Sequence, residues 1–396
     1  MSKGFFDSKS FDFASTFPRC QSCKLNRGCI TPKMQPTGAG RKGILIVAEA
    51  PGEREDREGI QLIGKAGQLL RKYLGELDIK LDRDCWKTNA VNCRPKENRT
   101  PKPKEIEACR PSLVKLIKEK KPKVVILLGG SAVESLIGSL WKKKIDTIGR
   151  WLGWRIPCRE YNTWICPNWH PSYLLRQNSP ILNLWFKKYL EQALELSDYP
   201  YSEEVPDLTK DVTVIREHDK AAKYIRRFIS KEEPVAFDYE TNRLKPDDIN
   251  SSVVSCAISD GKHTIAFPWM GEAIGATSEL LQSKVPKIGA NIKFEERWTK
   301  RVLKHGVRNW LWDCMVASHT LNNTPGITSV KFQSFVRFGI SDYSSDISPF
   351  FETPNGNAEN KIKQIELSKL LLYNGMDALM EYKIAQEQMK EMNYYG

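Results

Sequence analysis

The first half of the chain contains four short apolar segments, with segments of helix length between and after them. The apolar segments cover residues 43–49, 86–93, 123–129 and 163–169, and the helical segments cover residues 66–77, 104–120, 131–139 and 180–196. This alternation predicts a mostly parallel sheet with helices on both faces, which is a three-layer α/β/α fold. Ligands of such sheets bind beyond the carboxyl ends of the strands.

The second half begins a new pattern. Residues 197–213 (LSDYPYSEEVPDLTKDV) are polar, acidic and proline-containing, as is typical of a linker. Strand-like segments then follow one another at residues 234–239, 253–257 and 262–268, before helices that end with residues 365–389. Successive strands indicate an antiparallel start to a mixed α/β sheet. The 396 residues are therefore predicted to form two domains, 1–196 and 214–396, joined by a linker at 197–213.

Charge is divided unevenly between the two halves. Residues 1–200 have 36 Lys and Arg residues against 21 Asp and Glu, a net +15, whereas residues 201–396 have 25 against 27, a net −2. A basic half is typical of a nucleic-acid-binding protein, and we expect phosphate contacts from the Lys/Arg-rich segments 94–104 and 115–123. No stretch approaches the length of a membrane span, and the N-terminus lacks the apolar core of a signal peptide. We therefore expect a cytoplasmic protein that has no membrane partner.

Ten cysteines in a reducing compartment are more often free or metal-bound than disulfide-bonded. Cys20 and Cys23 form a CxxC pair, Cys93 ends the second apolar segment, and Cys109 lies sixteen residues further on. Two thiolate pairs from distant segments can form a four-cysteine site. Thiolates suit zinc or an iron–sulfur cluster, and the spacing alone does not choose between them.

Three polar residues lie at or just beyond the predicted strand ends, namely Glu49, Asn89 and His170. The segments AEAPGEREDREG, GKAGQLL, TNAVNCRPKENRTP, LLGGSAV and WHPSYLL follow one another in this order. Together with the four cysteines, and over about residues 18–195, they resemble the family 4 uracil-DNA glycosylases. The resemblance implies a structural [4Fe–4S] cluster on Cys20, Cys23, Cys93 and Cys109.

The resemblance also implies roles for the residues at the strand ends. A glycosylase holds a flipped-out base in a close-fitting pocket. Glu49 would orient water and stabilise the sugar cation, and His170 would donate a hydrogen bond to the departing uracil anion. The amide of Asn89 would pair with the Watson–Crick edge of uracil, and Pro51 and Gly52 would let the backbone approach the nucleotide.

Two residues of the pocket depart from the family pattern. Leu62 stands where the family has a phenylalanine that stacks on uracil, and Ala48 stands where it has glycine. Losing a stacking partner costs about 1–3 kcal/mol of base binding. Leucine keeps an apolar wall, so weaker affinity or altered base choice is expected. An alternative interpretation is a weak or inactive domain that binds DNA or senses uracil.

The second half contains carboxylates in a metal-binding pattern. In the segment PVAFDYET, Asp238 and Glu240 lie on one face of a predicted strand. Tyr373 and Asp377 are separated by four residues on one face of the last helix. Divalent metal ions reduce the repulsion between carboxylates that lie together at the end of an apolar strand, and Mg²⁺ prefers oxygen ligands.

These segments, together with GANIKFEERW, resemble the three motifs of the DEDDy-type 3′–5′ exonucleases over about residues 212–392. The proofreading domain of family A DNA polymerases is of this type, and its fold is ribonuclease H-like. The resemblance implies Mg²⁺ or Mn²⁺ ions held by Asp238, Glu240, Asp377 and a second-motif carboxylate, with Tyr373 orienting the attacking water. Asn291 would help to position the strand.

In the second motif this chain has Glu295 where the family usually has aspartate, and Glu296 and Asp313 are further candidates.

The combined expectation is a DNA-processing enzyme that excises uracil and removes 3′-terminal nucleotides. Its partner would be DNA, either uracil-containing or with free 3′ ends, and a separate DNA polymerase is a further expected partner. The architecture suggests a virus that infects bacteria, which would place the protein in the host cytoplasm. Two alternatives stay open at this point: an exonuclease domain that only docks a polymerase, and zinc-binding cysteines in a purely DNA-binding domain.

Overall fold

The computed structural model describes residues 18–141, 143–202, 205–355 and 358–394. The chain forms two compact units, Met1–Val205 with Phe335–Ser341, and Pro206–Ser334 with Asp342–Gly396. The residues outside the described ranges are 1–17 and 142 of the predicted first domain, 203–204 of the predicted linker, and 356–357 and 395–396 of the predicted second domain. The domain bounds taken from the sequence stay a prediction.

The first unit contains a five-stranded sheet. Its strands are Ile44–Ala48 (β1), Cys85–Asn89 (β2), Val124–Leu128 (β3), Ile156–Cys158 (β4) and Thr163–Asn168 (β5). They lie in the order β2-β1-β3-β5-β4, and every neighbouring pair is parallel except β4 with β5.

Eight helices surround this sheet among the described residues. They are Cys20–Cys23 (α1), Glu53–Glu58 (α2), Lys65–Gly75 (α3), Leu81–Asp84 (α4), Pro103–Lys120 (α5), Gly130–Leu140 (α6), Pro171–Gln177 (α7) and Pro180–Leu194 (α8).

Alternating side chains of the strands form two apolar layers. Ile44 and Ile46 belong to one buried cluster with Leu70 of α3 and Phe186 of α8. The intervening strand residues point to the opposite face, where α6 contacts β1 and β3 and packs against α5. This arrangement confirms the predicted α/β class of the first half.

Two details of the sheet differ from the prediction. The second strand ends at Asn89 rather than at Cys93, and β4 adds an antiparallel edge. Ala90 and Val91 are buried in a loop beyond the strand, and Val91 lines a cavity there. A buried apolar loop has the same hydrophobic pattern as the end of a strand, which explains the overextension.

The second half of the chain contains a six-stranded sheet. Its strands are Val212–Val214 (β6), Val235–Thr241 (β7), Val253–Ser259 (β8), Thr264–Pro268 (β9), Lys287–Gly289 (β10) and Trp310–Asp313 (β11). The order is β11-β10-β7-β8-β9-β6, with β7, β8 and β9 antiparallel and β10 and β11 parallel to β7. The predicted mixed α/β sheet with an antiparallel start is confirmed.

The described helices of this half come mainly after the first strands. They are His218–Lys231 (α9), Glu272–Gln282 (α10), Ile292–Leu303 (α11), Cys314–Leu321 (α12), Val330–Phe338 (α13), Ser348–Phe351 (α14) and Leu367–Glu391 (α15). No helix within the described ranges is both long and apolar enough to cross a membrane.

The last helix lies directly on the second sheet. Leu371 and Ala378 of α15 share a buried cluster with Ala257 of β8 and Ala266 of β9. A Cβ atom at Gly375 would lie 2.3 Å from Cγ1 of Val212, so glycine permits this close approach. The approach brings the middle of α15 against β7 and β8.

Candidate active sites

Polar side chains of the first unit converge at the carboxyl end of its sheet. Glu49 follows β1 directly, and Asn89 is the last residue of the neighbouring strand β2, paired with Ala48. His170 lies two residues beyond β5 and caps the N-terminus of α7. Because parallel strands end at one edge, the strand order brings these three residues to the same edge.

Two contacts link the turn after β3 to residues that follow the neighbouring strands β1 and β5. The hydroxyl of Ser131 on α6 donates to Oε2 of Glu49 at 2.9 Å. A Cβ atom at Gly129, whose φ is +92°, would lie 3.0 Å from Cβ of His170. The Gly-Gly-Ser turn after β3 therefore lies between Glu49 and His170. The motif LLGGSAV contains this turn, but the sequence alone predicted no role for Ser131.

The imidazole of His170 is held in one tautomer. Its Nδ1 accepts the backbone N–H of Ser172 at 3.2 Å and lies 2.7 Å from the hydroxyl of that residue. Burial, with the charge of Arg176 second, lowers the pKa of His170 from 6.5 to about 4. At neutral pH the ring is therefore uncharged, and its proton is on Nε2 because a backbone N–H can only donate to Nδ1.

Asn89 is buried, and its Nδ2 has no hydrogen-bond partner among the described residues. A buried donor without a partner costs about 1–3 kcal/mol. A hydrogen-bond acceptor on a bound ligand would remove that cost. The 4-oxygen of a pyrimidine such as uracil is an acceptor of this kind.

The remaining pocket candidates lie close to β1. Ala48 and Leu62 belong to the same buried apolar cluster, and Pro51 is buried. Leu62 has φ +56°, an uncommon conformation for a leucine, which fixes where its side chain points. Gly52 precedes α2, and its N–H donates to Oε2 of Glu55 at 2.6 Å.

The four predicted cluster cysteines line one cavity of about 260 Å³. Cys20 and Cys23 come from α1, Cys93 from the loop after β2, and Cys109 from α5. The backbone N–H of Lys33 donates to Sγ of Cys93 at 3.3 Å, and that of Asn92 donates to Sγ of Cys109 at 3.4 Å. Hydrogen bonds to sulfur stabilise thiolate ligands.

The spacing of these sulfurs bears on the kind of metal centre. Four sulfurs around one zinc ion lie about 3.8 Å apart, given Zn–S bonds of about 2.3 Å. Within the described ranges, three or more ligand atoms lie within 4.8 Å of one another only in a carboxylate group, so the thiols are wider apart than one zinc ion requires. Burial raises the pKa of Cys93 to about 12 and that of Cys109 to about 11, so a metal must displace their protons. Four thiols that line one cavity suit a thiolate-bound metal centre.

The carboxylate group lies on the second sheet. Ligand atoms of Asp238, Glu240 and Asp377 all lie within 4.8 Å of one another. Asp238 and Glu240 are on β7, and Asp377 is on α15 together with Tyr373. Burial and the neighbouring carboxylates raise the pKa of both Asp238 and Glu240. A divalent ion would relieve that repulsion, so the donor set fits Mg²⁺ or Mn²⁺.

The carboxylates of the second motif have separate environments. Glu295 on α11 is buried, its Oε2 has no partner among the described residues, and the charge of Asp238 helps to raise its pKa. Glu296 instead accepts the backbone N–H of Val307 at 2.9 Å. Asp313 caps α12 and accepts the backbone N–H of Asn291 at 3.0 Å. Of these three carboxylates, Glu295 is the one whose charge acts on Glu240, although it lies outside the 4.8 Å group.

The structure adds residues that no sequence motif contains. The ammonium of Lys331 on α13 donates to both the Tyr373 hydroxyl and Oδ2 of Asp377. The hydroxyl of Tyr343 donates to the other oxygen of Asp377. Glu381, one helical turn beyond Asp377, is buried with an unpartnered Oε2. Only the i,i+4 spacing from Asp377 to Glu381 offered a signal in the sequence.

A further contact fixes Asp238. The amide of Asn374 on α15 donates to its Oδ2 at 2.7 Å and itself accepts the hydroxyl of Ser255 at 2.9 Å.

Comparison with known proteins places each site in a family. A model of the uracil DNA glycosylase superfamily matches residues 36–195, and a 3′-5′ exonuclease model matches residues 212–393. A type-4 uracil-DNA glycosylase of Pyrobaculum aerophilum is 37% identical over 176 residues, which cover 43% of this chain and 86% of that protein. The fold and the two sites thus define a chain made of two hydrolase modules. The chain belongs to the type-4 uracil-DNA glycosylase family and also carries a 3′-5′ exonuclease domain of the family A polymerase kind.

Two other relatives extend over different ranges. A DNA polymerase of Bacillus phage SP01 is 23% identical over 387 residues, which cover 89% of this chain but only 40% of the polymerase. The crystal structure of Escherichia coli RNase D is similar with a TM-score of 0.35 and 13% identity, covering 46% of this chain and 45% of RNase D.

Proposed function

We propose that this protein excises uracil from DNA in its first unit and removes 3′-terminal nucleotides in its second. The first activity rests on Asn89, whose buried Nδ2 has no partner among the described residues and which ends its strand at the same sheet edge as Glu49 and His170. The 4.8 Å group of Asp238, Glu240 and Asp377 carries the second.

Uracil excision requires that charge be stabilised on both sides of the N-glycosidic bond. Glu49, held by Ser131, is positioned to orient a water molecule and to counter positive charge on the sugar. The neutral His170 donates from Nε2 to the 2-oxygen of the departing uracil, where negative charge develops. Asn89 donates to the 4-oxygen and accepts from N3–H, a pattern that thymine shares and cytosine lacks.

A phosphodiester at a 3′ end is cleaved by water in the second unit. Two Mg²⁺ or Mn²⁺ ions bound by Asp238, Glu240, Asp377 and Glu295 would activate that water and stabilise the leaving 3′ oxygen. The Tyr373 hydroxyl stays protonated because burial and the nearby carboxylates raise its pKa, so it can hold the water by hydrogen bonding.

In the first unit, a [4Fe–4S] cluster would be held by Cys20, Cys23, Cys93 and Cys109. Its role would be structural, because it would connect the loop after β2 to helix α5. The basic segments at residues 94–104 and 115–123 are proposed to contact DNA phosphates. A separate DNA polymerase remains a proposed partner.

An end-labelled oligonucleotide with one internal uracil tests both activities in one assay. Cleavage that depends on alkali and appears in EDTA reports base removal, and a ladder that appears only with Mg²⁺ reports 3′ digestion. The same oligonucleotide with thymine in place of uracil is the control. Absence of the alkali-dependent product at full occupancy of the cluster would contradict the first activity, and a ladder that persists in EDTA would contradict the metal mechanism of the second.

Leu62 favours a second candidate for the first unit, a module that binds uracil-containing DNA with little excision. Its aliphatic side chain replaces a stacking ring at the pocket wall. Binding of uracil-containing DNA that is tighter than binding of the thymine control, without an alkali-dependent product, would support this reading.

We expect Leu62→Phe to increase uracil excision. A ring restores stacking worth about 1–3 kcal/mol, although overpacking this buried position is expected to lower stability by a similar amount. Excision rate at 20–25 °C and melting temperature should be measured together, with the exposed Leu184→Phe on α8 as the control. An equal or lower rate in a folded variant would contradict the placement of Leu62 in the pocket wall.

The pH dependence of excision follows from the lowered pKa of His170. Because the ring loses its proton at about pH 4 rather than 6.5, we expect no histidine transition in the excision rate between about pH 5.5 and 7.5. The unfolded chain binds this proton more readily than the folded one, so acidification from 6.5 to about 4 also lowers stability. A rate that falls with an apparent pKa near 6.5, and does so no longer in His170→Gln, would contradict the neutral donor.

A further inference from the structure

The proposed exonuclease site contains more negative charge than a nuclease of three motifs requires. Asp238, Glu240 and Asp377 form the tight group. Two more buried carboxylates, Glu295 and Glu381, each have one oxygen without a partner among the described residues. The charge of Asp238 helps to raise the pKa of both. The group of five is Asp238, Glu240, Glu295, Asp377 and Glu381.

One ammonium lies among these carboxylates. Nζ of Lys331 donates to Oδ2 of Asp377 and, at 2.7 Å, to the hydroxyl of Tyr373. It also lies over two aromatic rings, 4.6 Å from the centre of Tyr373 and 5.4 Å from that of Tyr343. Four contacts of one ammonium, three of them with the motif residues Tyr373 and Asp377, fix its position.

Lys331 opposes the negative charge of four of these five carboxylates. Its charge acts on Asp238, Glu240 and Glu381 as well as on its direct partner Asp377. Ionised carboxylates that are buried together are strongly unfavourable, so without a metal ion they must either be protonated or lie close to another cation.

We propose that Lys331 is a positioning residue of the exonuclease site, which holds the Tyr373 hydroxyl and the Asp377 carboxylate in place and supplies the resident positive charge before metal ions bind. The inference rests on the proposed exonuclease function. The ammonium donates to the phenol oxygen of Tyr373, so the O–H of the phenol is left to donate to the attacking water. The ammonium also repels incoming metal ions, so it lowers metal affinity while it improves geometry.

Lys331→Met tests these consequences because methionine keeps the length and loses the charge. In EDTA we expect a lower melting temperature than wild type, since the carboxylates lose their cation. We expect the dissociation constant for Mn²⁺ to fall by about tenfold or more, because the competing charge is gone. For digestion of single-stranded DNA in saturating Mg²⁺, we expect kcat to fall by about 10²-fold with little change in KM, because Tyr373 is no longer held.

Controls separate positioning from general stability. Lys331→Arg keeps the charge and should restore the melting temperature in EDTA and the Mn²⁺ affinity. The exposed Lys223→Met on α9 should match wild type in every measurement. Unchanged Mn²⁺ affinity together with unchanged kcat in Lys331→Met would overturn the inference. The melting temperature and Mn²⁺ binding are measured without DNA, so they test the role of Lys331 even if the wild-type protein does not digest 3′ ends. Failure of the wild-type protein to digest 3′ ends would overturn the proposed function instead.

Discussion

Glu240→Gln is expected to abolish digestion of 3′ ends while uracil excision continues at the wild-type rate. The substitution keeps the shape of the side chain and removes one carboxylate from the 4.8 Å group on β7. Ions bound there would stabilise the transition state by several kcal/mol, so the loss of their site corresponds to about 10³-fold or more in rate.

Glu240 suits this experiment because its side chain makes no hydrogen bond to a described residue. The amide NH₂ of the glutamine variant therefore does not replace an oxygen that accepts a hydrogen bond. The measurement is the rate of the Mg²⁺-dependent ladder on end-labelled DNA, with alkali-dependent cleavage followed on the same molecules. Glu233→Gln, which removes an exposed carboxylate just before β7, is the matched control. A Glu240→Gln protein that digests DNA at more than a tenth of the wild-type rate would exclude this group as the catalytic metal site.

Cys109→Ser is expected to remove the metal centre of the first unit and most of its stability. Cys109 joins α5 to the cavity that Cys20, Cys23 and Cys93 also line. A bound metal centre contributes its binding free energy to folding. Several kcal/mol lost from a unit of this size lowers its melting temperature by about 10 °C or more.

Three measurements check this expectation on anaerobically purified protein: the brown colour, the iron content and the melting temperature. Cys158→Ser, a buried cysteine of the same unit that does not line the cavity, should keep all three near wild type. Wild-type protein that is colourless and contains one zinc ion would contradict the cluster and support the zinc alternative.

The sequence predicted the fold where hydrophobic period and chain order were sufficient. The strands that became β1, β3 and β5 were located from apolar runs, and helices α5 and α8 from helix-length segments between breakers. The edge strand β4 was missed because three residues, Ile156–Cys158, are too few for a periodic pattern. The end of β2 was misplaced because a buried loop has the pattern of a strand.

The candidate sites divide in a similar way. Residues inside contiguous motifs, such as Glu49, His170, Asp238 and Asp377, are visible in the sequence because their spacing is local. Lys331 and Tyr343 approach Asp377 from 46 and 34 residues away, and nothing in their own segments indicates that they do. The same holds for Ser131, which is 82 residues from Glu49.

What the amino-acid sequence determined by itself is the order of the two modules, their fold class and the chemistry of each motif, because these depend on neighbours along the chain. What only the tertiary structure decided is which charges oppose one another. Three features arise from side chains brought together by packing: the cavity lined by four cysteines, the Nδ2 of Asn89 without a partner among the described residues, and the Lys331 ammonium beside the carboxylates. Distance in space rather than distance along the chain sets electrostatic energy, so those features required the folded molecule.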